Sequence, residues 1–109
     1  MPDKTEIPPG TLYLLVMKTL VPGPLHGYAI AQRIHLISDE VLRVEEGSLY
    51  PALQRMLIKG WVSASWGESE TGRKVRLYQL SAAGRKQLKT EISDFDRAMQ
   101  AVYKVIETA

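Results

Sequence analysis

The apolar residues Leu88, Ile92, Phe95, Met99, Val102 and Ile106 follow one another at intervals of four, three, four, three and four. Only a helix uses that spacing, because strand side chains change face at every residue. A strict 3.5-residue repeat is also the mark of an a/d seam, a narrow stripe held against another helix. The seam is shorter than the roughly three to four heptads that identify a self-sufficient coiled coil, so it needs further cover. It either folds back on its own domain or packs against a second copy of the chain.

A second helix with the same need lies near the start. Thr11 to Val21 reads as a helix between Pro8-Pro9-Gly10 and Pro22-Gly23-Pro24, and residues 1–9 are expected to be a flexible segment. The helix is apolar nearly all round (Leu12, Leu14, Leu15, Val16, Met17 and Leu20), with Lys18 its one charge. Such a helix needs partners on more than one side. Together the two helices predict a homodimer, with Leu12, Leu15, Leu88, Ile92, Phe95, Met99, Val102 and Ile106 at its interface.

Composition narrows the function. A chain of 109 residues with 45% hydrophobic and 24% charged residues builds one ordinary globular domain. The absence of cysteine removes disulfides, thiolate nucleophiles and cysteine-ligated zinc, and fits a reducing cytoplasm. The longest apolar run, Leu12 to Met17, falls far short of the roughly 18 residues of a membrane span, so no membrane association is expected. Asp3, Lys4 and Glu6 ahead of Pro8 do not read as a secretory leader.

Between the two apolar helices the chain changes period. His26-Gly27 opens a second helix to about Ile37, with Ile30, Ile34 and Ile37 on one face. Gly47-Ser48 leads a third, reaching Lys59 and closed by Gly60, with Pro51 expected in its first turn. Leu49, Leu53, Met56 and Leu57 form its buried stripe, and Tyr50, Gln54, Arg55 and Lys59 face outward. Val62, Ala64 and Trp66 then alternate with serines, Glu68 to Gly72 is turn-like, and a second alternating run reaches Leu80. This is a β-hairpin, after which Ser81 is a good N-cap for the last helix.

The fold class is therefore mainly α with a small β-hairpin: a winged helix-turn-helix domain over residues 10–81 and a C-terminal dimerisation helix over 82–109. In that architecture the third helix enters the major groove of double-stranded DNA and the hairpin touches the neighbouring strand. The net charge of +2 is too small to argue for nucleic acid by itself. Its distribution argues more, because Arg73, Lys74 and Arg76 fall on the wing, where they would contact phosphates. Gln54 suits adenine, Arg55 suits guanine, and the helix start at Ser48 suits a phosphate.

Three blocks carry a family resemblance: Gly10-Thr11-Leu12 followed by Gly23-Pro24-Leu25-His26-Gly27-Tyr28; Glu46-Gly47-Ser48-Leu49-Tyr50-Pro51-Ala52-Leu53; and Gly72-Arg73-Lys74 leading to Tyr78-Gln79-Leu80-Ser81-Ala82-Ala83-Gly84. In this order and at these spacings they resemble the PadR-like transcriptional regulators, in the branch with one short C-terminal helix. The resemblance implies a homodimer that mostly represses transcription from a pseudo-palindromic operator. It places Ser48 and Tyr50 at the start of the recognition helix, Arg73 and Lys74 in the wing, and His26 and Tyr28 near the DNA. It also implies release by a small hydrophobic or aromatic effector, for which Leu15, Phe95 and Met99 could line a pocket. Some relatives stack drugs on a tryptophan of the last helix; this helix has Phe95 and Tyr103 but no tryptophan.

Other residues have plainer roles. Trp61 reads as core, Trp66 as packing or a partly exposed strand residue, and Met17, Met56 and Met99 as core fillers. His26 and His35 lack partners at ligand spacing, so no metal or other cofactor is expected, and His26 reads as a cap or a DNA-side contact. Tyr50 either covers the helix-turn-helix junction or reaches a phosphate. With no nucleophile–base pair and no phosphate cradle, an enzyme is not expected. The rival is a winged helix used for protein contact alone, which would have no reason to keep a basic wing.

Overall fold

The computed structural model describes residues 7, 8 and 10–108. The segment 1–9, expected to be flexible, thus lies largely outside the described residues. The elements run α1 (Leu12–Thr19), β1 (Leu25–His26), α2 (Gly27–Ile37), α3 (Glu46–Ile58), β2 (Val62–Glu68), β3 (Lys74–Leu80) and α4 (Ala82–Glu107).

α1 supplies the centre of the core. Val16, Met17 and Leu20 are fully buried, whereas Leu12, Leu14 and Leu15 are only half covered. The helix ends at Thr19, two residues before the expected Val21, because Pro22 disfavours helical backbone at the residue before it. The chain leaves through tight turns, Leu20 N–H donating to Met17 and Val21 N–H to Lys18.

α2 begins where His26 Nδ1 accepts from the Ala29 N–H at 3.3 Å. Ile30 and Ile34 are buried, but Ile37, expected on the same stripe, is 70% exposed. The helix stops there and the chain turns away through Asp39 and Glu40, both in the left-handed region at φ 56° and 66°. The Ser38 hydroxyl accepts from Leu42 N–H at 3.0 Å and donates to the His35 carbonyl, which fastens this turn.

α3 buries Leu49, Ala52, Leu53 and Met56, with Leu57 half-buried at the margin. It starts at Glu46, earlier than Gly47-Ser48, so Pro51 stands in the second turn and has no N–H to offer the Gly47 carbonyl. Its C-terminus is closed by Gly60 at φ +77°, with Gly60 N–H donating to Leu57 and Trp61 N–H to Met56.

The sheet has three strands, in the order β1-β3-β2 and antiparallel throughout. The expected hairpin is β2–β3, in register from Val62↔Leu80 to Glu68↔Lys74. The two-residue β1 was not anticipated; it pairs Leu25↔Tyr78 and His26↔Leu77 and ties the start of α2 to the wing. At the wing tip Ser69 N–H donates to Arg73, Gly72 N–H donates to Ser69, and Gly72 takes φ +82°.

α4 is a helix of 26 residues, about 39 Å long. Ser81 caps it, accepting from Gly84 N–H at 2.9 Å and donating to the Gly60 carbonyl at 2.6 Å. Along the seam, Leu88 is buried, Phe95 and Met99 are half-buried, and exposure climbs through Val102 to 65% at Ile106. The near end of the helix packs against α1 and the far end projects from the body. Among the described residues, no helix is long and apolar enough to cross a membrane.

Candidate nucleic-acid interface

A concave surface of about 800 Å³ opens between the start of α2, Tyr50 of α3 and the wing. Three elements meet there for local reasons. β1 holds His26 beside Leu77, the His26 cap starts α2 at once, and Tyr50 projects from α3 across the same space. His26 and Tyr28 lie with their rings stacked, centroids 6.4 Å apart and planes 7° from parallel. Arg73, Lys74 and Arg76 face the same concavity from the wing, together with Glu68 and Glu70.

Tyr50 fits this place because residue 27 is glycine. A Cβ at Gly27 would lie 2.7 Å from the Tyr50 hydroxyl oxygen and 2.8 Å from Cε1. The ring is 44% exposed, yet its hydroxyl end sits against the backbone of α2. Burial, then the Glu46 carboxylate, then Tyr78, push the Tyr50 phenol above its ordinary pKa. The hydroxyl therefore keeps its proton at neutral pH and is available as a donor. The residue thus covers the start of α2 while part of its side chain stays open to the concavity.

The remaining recognition-helix residues divide. Gln54 is exposed on the side of α3 away from Leu49, Leu53 and Met56. Arg55 is also exposed but lies on the other flank from Tyr50, its guanidinium 5.7 Å from the Tyr13 ring and its Nε donating to the Tyr13 hydroxyl. Lys59 follows it, with Nζ 5.2 Å from the centre of the Trp61 ring, and Trp61 meets Tyr13 edge-on at 5.7 Å. Ser48 is exposed, but its N–H donates to Glu45 at 3.0 Å, so that group is not free for a phosphate as expected. The helix start also carries Glu46 in its first turn, which already answers the positive end of the helix dipole.

One lining residue, Tyr78, carries no signal of this place in the sequence. Tyr78 is buried at the floor of the concavity, on the same sheet face as Lys74 and Arg76. Its alternation with those cations was visible, but nothing revealed that β1 would close over that strand. Trp66, expected as packing or a partly exposed strand residue, is 66% exposed because the hairpin extends past the core that covers Val62. Among the described residues, no cluster of His, Asp or Glu could hold a metal ion.

Three helices, a hairpin wing and a long closing helix define a winged helix-turn-helix protein of the DNA-binding kind. Residues 14–90 match the model of the transcriptional regulator PadR-like family, and the chain belongs to that family. It is a family of transcriptional regulators that bind DNA, not of enzymes. The fold is similar to a transcriptional regulator from Clostridium thermocellum, with TM-score 0.82 and 22% identity over 90% of this chain and 95% of that one. It is also similar to a PadR-like transcriptional regulator from Bacillus cereus, with TM-score 0.75 and 21% identity over 92% and 95%. In sequence, an uncharacterized 37.1 kDa protein in a transposon of Streptomyces fradiae is 38% identical over 84% of this chain. The chain spans a quarter of the length of that relative.

Proposed function

We propose that this protein is a cytoplasmic, homodimeric repressor that binds a pseudo-palindromic operator and leaves it when a small hydrophobic or aromatic effector binds. The observation that carries the DNA-binding reading is the concave face, where His26, Tyr28, Tyr50, Arg73, Lys74 and Arg76 converge beside the exposed side of α3. The wing cations neutralise phosphates, the Tyr50 hydroxyl and Ser48 side chain donate to the strand, and Lys59 adds charge at the end of α3. Gln54 reads adenine, and Arg55 reads guanine by swinging away from Tyr13.

Residues 10–81 act as the DNA-binding domain, and the helix from Ala82 onward acts as the dimerisation element. Ile92, Val102 and Ile106 are exposed in one protomer, and Leu12 and Leu15 are half covered, so a second copy of the same helix pair has apolar surface to bury. An effector pocket would then lie between α1 and α4 near Leu15, Phe95 and Met99.

Double replacement of Arg73 and Lys74 by alanine tests the wing. Binding should weaken on every duplex, and the salt slope should fall by about one unit per lost phosphate contact. Gln54→Ala and Arg55→Ala should instead relax sequence preference by about 1–3 kcal/mol per lost pairing. An unchanged salt slope in the wing variant would overturn its assignment. Loss of fold stability in Arg55→Ala without a change in base preference would leave Arg55 as a brace for α1.

A further inference from the structure

Trp66 is a large apolar side chain on a strand whose base is buried and whose tip is not. The register puts Trp66 on the same sheet face as Val62 and Ala64, opposite Arg76, while Ala64 faces Tyr78 and Glu68 faces Lys74. One face of the hairpin therefore runs from the buried Val62–Leu80 pair out to Trp66, Arg76 and Lys74. Arg76, Lys74 and Tyr78 on that face line the concavity, and Trp66 stands across from Arg76 on the outer strand, just beyond the lining residues. Lys74 Nζ lies 5.0 Å from the centre of the Trp66 ring. An indole 66% exposed adds little to the core, yet it sits between two cations that face the same way.

We propose that Trp66 is a DNA-contacting residue: its indole packs on the sugar–phosphate strand at the edge of a groove, with Arg76 and Lys74 neutralising phosphates beside it. This rests on the DNA-binding reading of the concave face. The chemistry suits a duplex backbone, which alternates apolar sugar faces with anions. The contact is to backbone, so it is indifferent to base sequence. A purely structural role is also available to the indole, since a cation over its ring steadies the hairpin. The two roles differ in what DNA does to the ring.

The test uses the full chain and a mixed-sequence duplex at low salt. In a Trp61→Phe background, acrylamide quenching of the single remaining tryptophan is measured with and without DNA. Should Trp61→Phe fold poorly, the difference in quenching between the unmodified protein and Trp66→Phe gives the same signal with Trp61 retained. DNA should shield Trp66 from acrylamide. Trp66→Ala should weaken binding about tenfold, through lost apolar contact area, with the salt slope unchanged, and Trp66→Phe should recover part of the loss. Lys74→Ala, in contrast, should lower the slope by about one unit. Tight duplex binding with Trp66 as open to acrylamide as before, and with Trp66→Ala unimpaired, would overturn the inference while leaving the DNA-binding reading intact. No binding to any duplex would overturn that reading, and the inference with it.

Discussion

Gly84→Ala tests how α4 is seated on the domain. A Cβ at this position would lie 2.1 Å from the Trp61 carbonyl oxygen and 2.7 Å from Leu80 Cδ1. An ordinary carbon–oxygen contact is near 3.3 Å, so the first turn of α4 must retreat by about 1.2 Å. The obstacle is backbone, held by Ser81 N–H donating to Trp61 and the Ser81 hydroxyl donating to Gly60, so it cannot turn aside as a side chain would. Overpacking of this kind costs about 1–3 kcal/mol, and weakening those two hydrogen bonds adds up to about 1 kcal/mol each. Better helix propensity returns up to about 1 kcal/mol. The net expectation is a loss of about 2 kcal/mol, or a midpoint lower by roughly 10 °C. Thermal and urea unfolding at equal protomer concentration measure it, because dimerisation would make both midpoints concentration-dependent. The sign decides the matter. A helix turn with room to spare would gain stability from alanine, and a variant as stable as the parent would refute this seating of α4.

Two further outcomes follow from the same geometry. Val102→Asp and Ile106→Asp alter residues exposed in the protomer, so helicity should persist while sedimentation shows a shift from dimer to monomer; a dimer unaffected by both would remove the far seam from the interface. Tyr50 holds its proton more tightly folded than unfolded, chiefly through burial, so its contribution to stability is complete below the free phenol value near 10 and is lost as pH rises beyond it. Tyr50→Phe should flatten that alkaline decline, and an identical decline in both proteins would deny the perturbation.

The periodic parts of the chain were legible. The last helix announced itself in its seam, α3 in Leu49, Leu53 and Met56, and the wing in the alternation of Val62, Ala64 and Trp66. What escaped were features created by contact between distant segments. β1 is too short for any pattern, and it exists because Leu25 and His26 meet Leu77 and Tyr78. Ile37 kept the helical period but lies where the core has ended, so burial failed without periodicity failing. α3 starts earlier than Gly47-Ser48 suggests, because Glu45 in extended backbone already serves as its N-cap. In the candidate site, the wing cations are legible from residue type and position and Tyr50 from the family resemblance, and the structure gathers them around one concavity. The lateral tie of Arg55 to Tyr13 was invisible, since nothing in the spacing of 42 residues points to it.

The central claim is best tested by fluorescence-anisotropy titration of the protein's own upstream DNA against a scrambled duplex, repeated across salt concentrations. The account predicts a preference of several kcal/mol for the upstream DNA, a steep salt slope and two protomers per site. Equal and weak binding to both duplexes at every salt concentration would contradict it.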